Sequence, residues 1–124
     1  MRALIVDDEI LVRTVMDILL KDAGVDETIE ATNGREALAF LESESADLII
    51  SDWSMPEMGG LELLKVCKED PALKNIPFVM SSGQGERAEI QQAIEAGVDA
   101  YIVKPFMFNE LQEVLEAICR KPLI

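Results

Sequence analysis

Four short, unbroken apolar runs recur along the chain, each followed by a helical pattern, and this alternation restricts the fold more than any other feature. The runs are Ala3 to Val6, Leu48 to Ile50, Phe78 to Met80 and Ala100 to Val103, all bounded by polar or turn residues. Continuous runs suit strands covered on both faces, whereas half-solvated strands alternate apolar with polar. A more polar stretch, Thr28 to Thr32, reads as a fifth, weaker strand nearer a sheet edge.

The intervening segments carry helical spacing. Ile10 to Ala23 is predicted as a helix with Leu11, Val15, Ile18 and Leu19 inward, stopping at Gly24. Asn33 or its neighbour caps a second helix reaching about Ser43, with Ala37, Leu38 and Leu41 inward. Leu61, Leu64 and Cys67 mark a third, ended by Asp70-Pro71. Ile90, Ala93 and Ile94 mark a fourth, ended at Gly97, and Leu111, Leu115 and Ile118 a fifth. Five βα units joined by right-handed crossovers give an α/β fold, one parallel sheet with helices on both faces. The 124 residues suffice for one domain, so residues 1–124 are read as a single unit. The chain stops three residues after Lys121, and no output domain is expected to follow.

Composition narrows the function classes. A net charge of −13 disfavours nucleic acid and anionic membranes as partners and favours cations or basic proteins. Histidine is absent, which removes imidazole metal ligation and His-based triads. The two cysteines, Cys67 and Cys119, lie in apolar-periodic segments without metal-ligand spacing and read as core thiols. The apolar opening ends at Asp7, too short for a signal peptide, and no run reaches membrane-spanning length; a cytoplasmic protein is expected.

The polar residues are unevenly placed. Strand one ends in Asp7-Asp8-Glu9, strand three in Ser51-Asp52, strand four in Ser81-Ser82-Gly83 and strand five in Lys104-Pro105. All follow the C-terminal ends of strands, the edge at which open α/β sheets bind ligands. Three carboxylates, a hydroxyl and an ammonium therefore converge on one crevice. Clustered carboxylates repel one another, and oxygen-only ligands point to a hard divalent cation, Mg²⁺ rather than zinc or copper. With a metal and Lys104 neutralising a donor's phosphoryl oxygens, one carboxylate can attack phosphorus in line.

The stretches Leu4-Ile5-Val6-Asp7-Asp8-Glu9, Asp52-Trp53-Ser54-Met55-Pro56, Ser82-Gly83 and Lys104-Pro105-Phe106 resemble response-regulator receiver domains of two-component systems, most of all the single-domain chemotaxis type. The resemblance spans essentially the whole chain and implies a flavodoxin-like receiver fold with strand order 2-1-3-4-5. It further implies that Asp52 is the phosphoacceptor, Asp8 a direct Mg²⁺ ligand, Asp7 a ligand through water, and Ser54 a ligand through its backbone carbonyl. Lys104 would contact the phosphoryl group, and the Lys104-Pro105 bond would be cis. Ser82 and Tyr101 match the hydroxyl and aromatic switch positions, whose movement would alter the face of the fourth helix, fifth strand and fifth helix. The implied partners are a sensor histidine kinase or phosphotransfer protein upstream and a protein target at that face. The implied role is a signalling switch, not an enzyme, that assists its own phosphorylation and dephosphorylation.

Taken singly, these residues also have plain structural readings. Asp7 and Asp8 could cap the first helix, Asp52 could sit in a turn, Lys104 on the surface and Ser82 in a loop, and Tyr101 in the core. Their joint placement at one sheet edge favours the functional reading. Asp99, Glu110, Glu113 and Glu116 read as a solvated face, and the six methionines mostly as core filler. Alternatives are a phosphorelay shuttle, a receiver excised from a longer regulator, an aspartyl-phosphate phosphatase, and a flavodoxin-like FMN-binding electron carrier. The phosphatase usually carries Asp-x-Asp at strand one, which Asp7-Asp8 does not match. The electron carrier needs an amide-lined phosphate loop after strand one, where this chain has Asp7-Asp8-Glu9. Ser54, Glu57 and Gly83 flank the expected path of a hydrolytic water. Ser82 stands where threonine is common and gives a looser switch. Glu86, Glu89, Glu95, Asp99, Glu110, Glu113 and Glu116 make the output face acidic, which calls for a basic or apolar partner groove.

Overall fold

Strands β1 (Arg2–Val6), β2 (Glu27–Ala31), β3 (Leu48–Asp52), β4 (Phe78–Ser82) and β5 (Ala100–Val103) pair in parallel in the order 2-1-3-4-5. The chain is described here from a computed structural model covering residues 1–83 and 85–119, with the side chain of Cys119, and residues such as Lys121, outside the described set. Helices α1 (Ile10–Asp22), α2 (Gly34–Ser43), α3 (Gly60–Glu69), α4 (Arg87–Glu95) and α5 (Phe108–Cys119) follow the strands in turn. The fold class and strand order are those expected. The polar strand β2 lies at an edge and pairs with β1 alone.

Strand alternation divides the core in two. Leu4, Val6, Ile49, Phe78 and Met80 pack with Ala37 and Leu41 of α2 and Leu63, Leu64 and Cys67 of α3. Ala3, Ile5, Leu48, Ile50, Val79 and Ile102 point the other way, onto Met16 and Leu20 of α1 and Leu111 and Leu115 of α5. Successive strand residues are buried on opposite faces, which accounts for the absence of polar alternation. Burial pushes the Cys67 thiol up to about 11, fitting its reading as an inert core thiol.

The inward face of α1 differs from expectation. Met16 and Leu20 are buried, whereas Leu11, Val15 and Ile18 lie on the exposed side. The helix is apolar nearly all round, so two faces fit the same spacing, and only docking on the sheet distinguishes them. Ile94 of α4 is likewise exposed, and Ala93 is the residue of that helix that is buried. The methionines are mostly core filler as expected: Met16 and Met80 are buried and Met55 and Met58 pack against the core, while Met1 and Met107 are exposed.

Local signals set the helix ends. Asn33 caps α2, its Oδ1 accepting from the Glu36 N–H at 2.9 Å. Gly24 ends α1 at φ 104°, a left-handed conformation that glycine adopts without strain. Asp99 is not merely solvated. Its carboxylate accepts from Lys68 Nζ at 2.9 Å and from the Phe78 N–H at 2.8 Å, joining α3 to the start of β4.

Candidate functional site

The strand register brings the polar residues together. Val6 is level with Ser51, Asp52 with Ser81, and Ser82 with Val103, so the C-terminal ends of β1, β3, β4 and β5 form one edge. Here Asp8, Glu9, Asp52, Trp53, Ser54, Ser82, Gly83, Glu89 and Lys104 line a cleft of about 570 Å³.

One oxygen from each of Asp7, Asp8 and Asp52 lies within 4.8 Å of the others. Asp7 is buried, Asp52 half-buried and Asp8 exposed. Neither Asp7 nor Asp8 caps α1; Glu9 occupies that position without a side-chain capping bond. Asp7 Oδ1 instead accepts from the Glu9 N–H at 2.9 Å, while its Oδ2 accepts from Lys104 Nζ at 3.1 Å. The same ammonium donates to Asp52 Oδ1 at 3.2 Å, and the Trp53 N–H donates to that oxygen at 2.9 Å. The Lys104–Pro105 peptide is cis, as the resemblance implies.

The electrostatics express crowding. Burial raises the Asp52 carboxyl above its ordinary range; Lys104 opposes the shift, Asp7 adds to it, and the net direction is upward. For Lys104, burial favours loss of the proton. Hydrogen bonds and charge from Asp7 and Asp52 outweigh burial, so its pKa also rises. An ion pair alone would lower Asp52, so the upward direction reflects the cost of burying its charge, which the Lys104 ammonium offsets only in part. The donors facing the cleft from these aspartates are all oxygens, as a hard cation prefers.

Ser82 and Tyr101 share the other face of the sheet edge. The Tyr101 phenol lies within hydrogen-bonding reach of Ser82 and Glu89, and its ring centroid is 6.5 Å from that of Trp53 with planes at 51°. Burial raises the phenol's pKa, Ser82 opposes this, and Glu89 adds to it. Asp7, Asp8, Asp52, Ser54, Ser82 and Lys104 therefore gather at this edge, and Tyr101, level with Met80, stands behind it against Trp53. Glu89 was read from the sequence as part of an acidic output face, yet it lines the cleft. Its place in the first turn of a helix after strand four was a usable signal; a run of similar acids concealed it.

A doubly wound sheet with carboxylates, a lysine, a hydroxyl and an aromatic ring at its C-terminal edge defines the receiver class of signalling switch. Comparison with known proteins agrees. The chemotaxis protein CheY of Pseudomonas aeruginosa is 41% identical over 118 residues, covering 95% of both chains. CheY1 of Helicobacter pylori is 40% identical over 119 residues, covering 95% of this chain and 96% of its own. Among solved structures, the chemotaxis response regulator CheY4 of Vibrio cholerae superposes with a TM-score of 0.86 at 34% identity, covering 94% of this chain and 97% of its own. The signal receiver domain of a signal transduction histidine kinase from Syntrophus aciditrophicus gives 0.84 at 32% identity, covering 99% and 96%. The chain belongs to the response regulator receiver domain family, which matches residues 3–116, and is a CheY-like response regulator of two-component signalling. Among the described residues, no helix is long and apolar enough to cross a membrane.

Proposed function

We propose that residues 1–124 act as one receiver domain that takes a phosphoryl group on Asp52 and passes the signal to a protein bound at the α4–β5–α5 face. The observation that carries this reading is the half-buried Asp52 carboxylate, grouped with Asp7 and Asp8 and held 3.2 Å from the Lys104 ammonium. The donor is a phosphohistidine of a sensor kinase or phosphotransfer protein. An Asp52 oxygen forms a bond to phosphorus as the phosphorus–nitrogen bond breaks; the donor ring, protonated on its other nitrogen, keeps the bonding pair and leaves as neutral imidazole.

Asp8 and Asp52, with the Ser54 carbonyl, would hold Mg²⁺ directly, and Asp7 would hold it through water. The grouped oxygens, two of whose carboxylates share the single Lys104 ammonium, fit such an ion. Bound there, Mg²⁺ supplies neutralisation of the phosphoryl oxygens. Lys104 binds a phosphoryl oxygen from the side facing Asp7, and the Asp7 hydrogen bond orients its ammonium. Ser82 donates to another phosphoryl oxygen, which withdraws it from Tyr101. The ring then moves and remodels the output face. Water enters beside Ser54, Glu57 and Gly83 to hydrolyse the acyl phosphate, so the domain assists both its loading and its reset.

The test is intact-mass analysis with Mg²⁺ and acetyl phosphate under conditions that preserve acyl phosphates. One phosphoryl adduct is expected in the native chain and none in Asp52→Asn. An unmodified native chain overturns the reading.

A further inference from the structure

Glu9 and Glu89 are charged residues of the cleft to which the phosphorylation reading gives no part, and Glu89 is the one that faces the switch hydroxyl. It lies in the first turn of α4, and its Oε2 is 3.5 Å from Ser82 Oγ, a long contact that the hydroxyl can exchange for a better acceptor. The Tyr101 phenol reaches both residues. One carboxylate therefore touches both halves of the expected switch while facing the same cleft as Asp52.

We propose that Glu89 is a positioning residue of the switch, an anionic latch that holds Ser82 and Tyr101 together until a phosphoryl group on Asp52 displaces it. The inference rests on the reading of Asp52 as phosphoacceptor. Ser82 carries one hydroxyl proton, so it can donate to Glu89 or to a phosphoryl oxygen, but not fully to both. The phosphoryl group brings close to two negative charges into a cleft that already holds Glu89. Both effects favour the phosphoryl oxygen over the carboxylate, and both release Tyr101. The negative charge of Glu89 also works against entry of any anionic donor, so it sets the threshold of the switch.

A purely structural Glu89 has a separate signature. An acid in the first helical turn stabilises α4 through the peptide dipoles, and its loss would lower stability without changing the response to a phosphoryl mimic. Glu89→Gln keeps the shape and a hydrogen-bonding oxygen while removing the charge, and Glu89→Ala removes the whole contact. The test uses the full chain with Mg²⁺, titrated with beryllofluoride and followed by fluorescence of Trp53, its one tryptophan. Absorbance titration of Tyr101, its one tyrosine, gives a second readout.

Removing one like-charge repulsion is expected to lower the beryllofluoride midpoint about three- to tenfold in both variants. The Tyr101 phenol is expected to titrate at lower pH in Glu89→Gln than in the native chain. A native response that both variants leave unshifted overturns the latch alone. If no protein responds and none gains mass with acetyl phosphate, the Asp52 reading fails and the latch fails with it.

Discussion

Lys104 holds its ammonium 3.2 Å from Asp52, the position from which it neutralises that carboxylate and also repels any second cation approaching it. These two effects separate on mutation. Lys104→Ala is expected to bind Mg²⁺ more tightly, by about three- to tenfold, because a positive charge beside the ligands is gone. Phosphorylation by acetyl phosphate should nevertheless slow at least about tenfold, since a phosphoryl oxygen loses its cation. Titration of Trp53 fluorescence and a mass time course measure the two quantities; parallel losses in both would refute this account.

The raised pKa of Asp52 makes stability depend on pH in a defined sense. Burial comes first among the causes, Lys104 opposes it and Asp7 supports it. A carboxyl whose folded pKa exceeds its unfolded value contributes stability that is present below the unfolded pKa and lost as pH rises through the folded one. Without Mg²⁺, Asp52→Asn should therefore melt a few degrees higher than the native chain near neutral pH. That advantage should shrink as pH falls to about 4, the ordinary aspartate range. Thermal unfolding across this pH series checks the sign; a gain independent of pH contradicts it.

Gly60 supports Asp52 through close approach. A Cβ on it would lie 2.1 Å from the Asp52 carbonyl oxygen and 2.8 Å from Met80 Sδ. The Gly60 N–H also donates to the Trp53 carbonyl at 2.9 Å, so α3 begins against the end of β3. Gly60→Ala is expected to cost about 1–3 kcal/mol by overpacking. Because the displaced group is the backbone of Asp52, the proposed Mg²⁺ ligand, Mg²⁺ affinity should fall too. Urea unfolding and fluorescence titration report these effects, and an unchanged Mg²⁺ midpoint would separate Gly60 from the site.

The two faces of α1 predict contrasting costs. Leu20 is fully buried, and Leu20→Ala should lose about 2–5 kcal/mol. Leu11 is 76% exposed, and Leu11→Ala should stay within about 0.5 kcal/mol. Chemical denaturation of the pair tests the assignment directly; a larger loss at Leu11 would reverse the helix face.

The acidic residues of the output side carry a prediction about salt. Glu86 and Glu95 of the α4 segment and Glu110, Glu113 and Glu116 of α5 are exposed. Binding of a basic target at this face should weaken as salt rises, most steeply at low ionic strength. Anisotropy titrations with the cognate target provide the measurement. Strengthening with added salt would assign the contact to apolar burial.

The sequence made the sheet legible because a parallel strand covered on both sides leaves an unbroken apolar run, and four of the five strands show one. The site was legible because polar residues followed those runs at their C-terminal ends, where register alone brings them together. Helix faces were harder to read. In α1 an apolar residue lies on nearly every side, so Leu11, Val15 and Ile18 satisfied the same periodicity as Met16 and Leu20. Asp99 and Glu89 were hidden differently, since a carboxylate in an acidic stretch gives no sign of its partner. Lys68 and the Phe78 N–H lie 31 and 21 residues from Asp99, a relation that only the fold creates.

The strand order has a mechanical consequence. Asp52 ends a strand flanked by two others and almost wholly enclosed, whereas Tyr101 belongs to a four-residue border strand that is mostly part-exposed. The carboxylate proposed to react is thus anchored in the enclosed centre of the sheet, and the ring that would report on it stands at its border. Displacing a ring on a strand that pairs with β4 alone would leave the pairing of β3 untouched, so the outline could change repeatedly without loosening the frame.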